Sequence, residues 1–246
     1  MYALRKLTLT EARLFLREPV GVFFAVGFPA ILVAILGSIK SFRNPDPALG
    51  GMRVVDLYVT IAMVMILAFL ALQMGPQALA TYREKGILRR VSATPVHPAK
   101  VLVAQLVMNL LTALLAAAIV LGLGRLAFNV PLPRQFFGFV LAFLLAAGAT
   151  LAVGLFIAAV APSGKAAGAI GTIAFFPLMF FAGLWAPREV MPGWVRRVGD
   201  FTPLAAGEQA LHDALAGSWP HAGQLLVLAA YIVVFGGAAV RFFRWE

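Results

Sequence analysis

The chain has no cysteine, so neither a disulfide nor a thiolate-bound metal is open to it. Charge is scarce too: Asp, Glu, Lys and Arg make up 12% of the 246 residues, where a soluble domain carries roughly 25%. So few charges cannot cover a surface facing water. With 62% hydrophobic residues, the main solvent must be lipid.

Motifs for chemistry are also missing. Gly164-Lys165 resembles the end of a phosphate loop, but Ala159 stands where its first glycine belongs and Ala166 where Ser or Thr belongs. Neither Gly-x-Ser-x-Gly nor His-Glu-x-x-His occurs. His97, His212 and His221 have no carboxylate or second histidine at metal-ligating spacing, so no metal is expected. Ion-driven carriers keep ionisable groups mid-membrane. The apolar runs here offer only neutral polar groups inside (Thr60, Gln73, Gln105, Asn109, Thr112, Thr150 and Thr172), with Asp56 at an outer end. A transporter core of this kind depends on another chain for energy, or is not an active transporter. The lack of paired catalytic side chains argues against an intramembrane enzyme.

What the chain does have is six long apolar runs, at 20–39, 54–80, 101–124, 136–161, 166–186 and 222–240. Each is near or above the ~20 residues that cross a ~30 Å hydrocarbon core. Helices satisfy their own backbone groups there, so the expected fold is an all-α polytopic membrane protein. The first run reads as a retained span: it is too long for a signal h-region and no small-residue cleavage site precedes Lys40. The whole chain, 1–246, reads as one transmembrane domain. Its parts are an N-terminal interfacial helix (1–19), spans one and two (20–80), a charged loop (81–98), spans three to five (99–186), an outer re-entrant segment (187–221), and span six with a tail (222–246).

The formal charge of +10 suits anionic lipid headgroups better than nucleic acid, because the basic residues flank apolar runs. With the N-terminus inside, 12 of the 20 Lys and Arg fall on the inner side, most densely in 81–98. Both termini are therefore expected in the cytoplasm. On a helical wheel Leu4, Leu7, Leu14 and Phe15 share one side, with Lys6, Arg13 and Arg17 opposite, as in a helix lying in the interface. Glu11 and Glu18 fall on the apolar side; a partner groove or a tilted helix would each account for them. Pro29, Pro76 and Pro177 should kink their spans. Gly164, Gly168 and Gly171 mark close helix packing. In the outer segment, Thr202 is a good N-cap, Pro203 a good first residue and Gly217 a good terminator for a helix too short to span. Trp185, Trp194 and Trp219 flank it, as at a headgroup boundary.

The charged loop can form about two helical turns from Arg83 to Val91, with Ile87, Leu88 and Val91 on one face. Thr94 and Pro95 then restart a helix. The result is a stiff elbow, suited to passing on a displacement and to docking in a groove. A loop that merely fixes topology fits the composition as well.

The segment Tyr82-Arg83-Glu84-Lys85-Gly86-Ile87-Leu88-Arg89-Arg90-Val91-Ser92-Ala93-Thr94-Pro95-Val96 resembles the corresponding stretch of ABC-2 type permeases, the membrane subunits of ABC exporters that include the daunorubicin exporters. The resemblance extends to Phe15-Leu16-Arg17-Glu18-Pro19 entering the first span and to Phe180-Phe181-Ala182-Gly183-Leu184-Trp185-Ala186-Pro187 leaving the fifth. It implies a half-transporter in a bacterial or archaeal cell membrane. Two six-span subunits, as a homodimer by the commonest symmetry, would each rest on a cytoplasmic ATPase subunit. ATP and Mg would sit on that partner, with no cofactor on this chain. Arg83, Glu84, Lys85, Gly86, Ile87, Leu88, Arg89, Arg90 and Val91 would form the coupling helix, and the N-terminal helix the connecting helix. Glu84 would pair with a basic group on the ATPase or within the elbow. For the substrate path, Gln73, Gln105 and Asn109 are the polar candidates and Phe175, Phe176, Met179 and Phe180 the adaptable apolar ones. The aromatic surface suits a lipophilic or amphipathic substrate, and lipid or the partner subunit would cover it equally well. A polysaccharide or lipid-linked glycan is the alternative cargo, and an ATP-independent carrier or scramblase the alternative mechanism.

Overall fold

The computed structural model describes residues 2–49, 51–87, 90 and 99–243. In chain order the helices are α1 (Tyr2–Leu16), α2 (Pro19–Ser38), α3 (Val54–Glu84), α4 (Ala99–Phe128), α5 (Phe136–Val160), α6 (Gly164–Phe181), α7 (Gly193–Gly199), α8 (Pro203–Ala216) and α9 (Ala222–Phe242). Between α2 and α3 lie two short antiparallel strands, β1 (Pro45–Asp46) and β2 (Met52–Arg53), with Pro45 opposite Arg53. Helices α2, α3, α4, α5, α6 and α9 are long and apolar enough to cross a membrane, as the six apolar runs predict.

Helix α3 is the axis of the bundle. Every residue from 59 to 68 is buried, which only a helix apolar on all sides tolerates. α2, α4, α5, α6 and α8 pack around it. Its middle is not α-helical: Phe69–Met74 form a π turn, in which the Gly75 N–H donates to Leu70 O. Pro76, just beyond, has no N–H. In the five-residue register it leaves Ala71 O without a donor; in the four-residue register it leaves Leu72 O without one. Both oxygens point at glycines. A Cβ added to Gly154 on α5 would fall on Ala71 O, and one added to Gly171 on α6 would fall on Leu72 O. Glycine Cα–H groups thus stand where the missing donors would be, and two neighbouring helices approach backbone to backbone.

The same arrangement recurs in α2, where a π turn (Phe23–Gly27) precedes Pro29. Around Pro177 the helix runs on to Phe181. The small-residue face of α6 packs as expected: Gly164 lies on Thr81 and Gln77, Gly168 on Gln77, and Gly171 on Leu72.

Two elements make inward contacts that local spacing does not show. Helix α1 turns Glu11 and Phe15 into the bundle and leaves Leu9, Leu14 and Leu16 exposed, so the apolar side of the wheel is split between protein and surroundings. Helix α8, in the segment read as re-entrant, packs into the bundle. Leu204 and Leu211 are fully buried, Gly207 lets it close on Ala146 of α5, and its axis packs on α3, α5 and α9. Gly217 ends it in the left-handed conformation (φ +106°), but Thr202 spends its hydroxyl on Gly199 O (2.8 Å) instead of capping.

Gly171→Leu or Gly154→Val should therefore lower thermal stability of the purified chain by about 1–3 kcal/mol, through forced separation of α5 or α6 from α3. Gly122→Ala, in open space on α4, should be neutral or stabilising. Equal behaviour of the three variants in a detergent melting assay would remove the backbone-contact account.

Candidate functional site

Arg83 and Glu84 belong to the last turn of α3, not to a separate short helix. The helix closes at Lys85 and Gly86, where Gly86 takes φ +64°, a conformation that costs a side-chain-bearing residue and suits glycine. The break expected near residue 81 is thus four residues later, because the Lys85 N–H still finds Thr81 O (2.9 Å). Beyond it, the Arg90 N–H donates to Gly86 O (3.1 Å). Leu88, Arg89 and Val91, with His97 and the Thr94-Pro95 restart, lie outside the described residues.

The two charges at the end of α3 serve two different helix ends. The Arg83 guanidinium donates to Ala158 O (3.2 Å), Ala159 O (3.0 Å) and Ala161 O. These are carbonyls at the C-terminus of α5, where unpaired acceptors and the negative end of the dipole favour a cation. One residue on, the Glu84 carboxylate accepts the Gly164 N–H (3.0 Å) at the N-terminus of α6, where an anion is favoured. Ser163 completes that cap by accepting the Ala166 N–H (3.2 Å). Among the described residues, the partner of Glu84 is this backbone N–H. One Arg-Glu pair clamps the α5–α6 turn from both sides. Lys85 is exposed and Ile87 half-buried.

Helix α1 is tied to the same turn of α3. The Tyr82 hydroxyl reaches both oxygens of Glu11 (3.0 and 3.1 Å). Burial pushes the Glu11 carboxyl above its usual range, and the Tyr82 hydrogen bond partly offsets this. So Glu11, the misfit on the apolar side of the wheel, is an internal contact, while Glu18 is exposed at the α1–α2 corner. Between that corner and α3 opens a groove of 860 Å³, lined by Arg17, Glu18, Val20, Met74, Tyr82 and Lys85 among others.

The seven path candidates do not converge. Gln105 and Asn109 are buried on α4 and share a narrow cavity of 50 Å³ with Glu11 and Tyr82. Gln73 instead accepts from Thr172 (3.0 Å) across the α3–α6 contact. Phe175 is buried against Phe69 (4.8 Å between ring centroids), and Met179 is fully buried. Phe176 and Phe180 are exposed, Phe176 stacked on Trp185.

At the opposite end the sequence reading missed three contacts. Asp56 pairs with Arg53 (2.5 Å), which also reaches Asn129 O and so fastens the start of α3 to the end of α4. His221 does have a carboxylate neighbour: its Nδ1 lies 2.9 Å from Asp213. Glu208 is buried inside the bundle, hydrogen-bonded to Thr60. Its signal was present, since Leu204, Glu208, Leu211 and Leu215 share one helical face.

If the clamp holds the α5–α6 turn, Arg83→Ala should cost about 1.5–3 kcal/mol, because buried carbonyls lose a charged donor. Glu84→Ala should cost about 0.5–2 kcal/mol, the range for a lost cap. Lys85→Ala should stay within about 0.5 kcal/mol. Denaturant or thermal unfolding in detergent reads the order, and a Lys85 effect as large as that of Arg83 would contradict it.

A family model described as ABC-2 type transporter matches residues 2–215. The daunorubicin resistance ABC transporter permease protein DrrB1 of Streptomyces coeruleorubidus is 31% identical over 75 residues, which is 29% of this chain and 26% of that relative. The aligned stretch thus spans about a quarter of the relative's length. With six helices long and apolar enough to cross a membrane and a family match over residues 2–215, the chain belongs to the ABC-2 type transporter family and is a multi-pass membrane protein.

Proposed function

We propose that the chain is the transmembrane subunit of an ATP-driven exporter, one transmembrane domain with both termini in the cytoplasm. Two ATPase subunits carry ATP and Mg, and a second copy of this chain completes the pathway. The observation that carries this reading is the Arg83–Glu84 clamp. The elbow that begins at Lys85 is continuous with α3, and α3 is fastened to the ends of α5 and α6. A displacement delivered to the elbow therefore moves three spans together, a rigid-body change of the kind that opens and closes transporters. The residues 83–91 form the ATPase-coupling segment, and the Glu11–Tyr82 bond makes α1 follow it.

The cargo is a lipophilic or amphipathic molecule taken from the cytoplasm or inner leaflet. The exposed aromatic face at Phe23, Phe24, Phe176 and Trp185 supports an apolar substrate. So does the name of the one relative described above, a permease for resistance to a drug. Phe176 and Phe180 are the path residues best placed to meet it, since they are exposed on α6, whereas Gln73 is half-buried at the α3–α6 contact.

Co-purification of this chain with its ATPase, followed by ATP turnover in vesicles, tests the proposal. Glu84→Ala with Leu88→Asp should weaken association and lower substrate-stimulated turnover by at least about tenfold, an effect of ~1.4 kcal/mol. If both are unchanged, the coupling role is wrong; flux through vesicles holding this chain alone would favour an ATP-independent carrier.

A further inference from the structure

Glu208 is 3% exposed in the middle of α8, between the buried Leu204 and Leu211. Its Oε1 lies 2.7 Å from the hydroxyl oxygen of Thr60 on α3. The same Thr60 oxygen lies 2.8 Å from the Leu57 carbonyl oxygen. A threonine hydroxyl has one proton. Beside an ionised Glu208, two acceptors compete for that proton, and one short oxygen–oxygen contact is left without hydrogen. A protonated Glu208 satisfies both: its O–H donates to Thr60, and the Thr60 O–H donates to Leu57 O.

Among the described residues no ion pair reaches Glu208. Arg188 is taken by Asp200 (2.5 Å), and Asp213 by His221 and Gln224. Glu189 and Arg196 are exposed on the wall of an 810 Å³ cavity that Glu208 also lines, together with His212, Leu57 and Val227. On α3 Asp56 is paired with Arg53. α5 has no charged residue between Phe136 and Val160, and in α9 the first beyond His221 is Arg241. Burial pushes the Glu208 carboxyl up to about 8; Glu189 and Asp213 add to the rise, while Thr60 and Arg188 oppose it.

We infer that Glu208 is a proton-binding site: it holds one proton in the Glu208–Thr60–Leu57 relay that joins α8 to α3, and its loss of that proton to water in the adjoining cavity loosens the joint. This inference is independent of the exporter reading. It gives a chain whose spans carry only neutral polar groups inside an ionisable group within the bundle.

The sign follows from a folded-state pKa raised above the unfolded one. Below the ordinary carboxylate range both states are protonated and Glu208 is silent. From there up to about pH 8 the unfolded chain loses the proton first, so stability falls; above that it falls no further on this account. Infrared spectra of the purified full chain at neutral pH should show a protonated carboxylic C=O stretch that deuterium exchange shifts, that fades toward about pH 9, and that Glu208→Gln removes. Only ionised-carboxylate bands in that difference spectrum would overturn the inference. The melting midpoint should fall with pH in the unmutated chain and in Thr60→Ser, and the fall should be smaller in Glu208→Gln; an unchanged slope in Glu208→Gln contradicts the relay. Because the chain has no cysteine, Leu57→Cys gives a unique thiol beside the joint. Its labelling should steepen with pH more than in the Glu208→Gln background, and equal slopes would show that ionisation does not loosen α8. Should Glu208→Gln fail to fold, the infrared titration of the unmutated chain and the Thr60→Ser profile still decide.

Discussion

Pro76 has no N–H to give, and the helix that carries it is enclosed on its core turns. Lipid and apolar side chains cannot satisfy a carbonyl that loses its donor, so the cost has to be met by neighbouring backbone. The structure meets it by widening α3 into a π turn and bringing Gly154 and Gly171 onto the freed oxygens. Those two contacts fix where α5 and α6 stand. The remaining contacts between helices follow from that placement, including the fit of Gly164 and Gly168 over Thr81 and Gln77.

With α5 and α6 held there, the turn between them comes to rest against the end of α3. Two adjacent residues of opposite charge then meet two helix ends of opposite polarity: Arg83 the carbonyls of α5, Glu84 the first N–H of α6. Neither charge needs an ion-pair partner, because the peptide dipoles supply one. Mechanically, α3 has no soft joint before Gly86, since it is a largely buried helix clamped to two others, and the Tyr82–Glu11 bond ties α1 to the same turn.

The other end of the bundle is built differently. α8 is short, carries the carboxyls of Glu208 and Asp213, the latter beside His221, and is nonetheless packed on four helices, α3, α5, α6 and α9. A helix of 14 residues reads in sequence as too short to span, and its length says nothing of how deeply it packs. Burial was legible only in the spacing of Leu204, Leu211 and Leu215, and the same spacing puts Glu208 on the buried face.

The composition and the six apolar runs determined a helical membrane protein, since a segment in lipid has to satisfy its own hydrogen bonds and ~20 residues is the length that spans. Local spacing also determined the small-residue face of α6, the terminating Gly217 and the family resemblance, all of which depend on residues near one another in the chain. Contacts between distant residues were beyond it. Arg83 with Ala159, Glu84 with Gly164, Glu11 with Tyr82 and Glu208 with Thr60 join positions 71 to 148 residues apart. A charge read from sequence alone has no visible partner and is assigned to water or to another protein. Only packing shows that these side chains meet helix ends and hydroxyls, because it is the approach of the helices that brings those groups within reach.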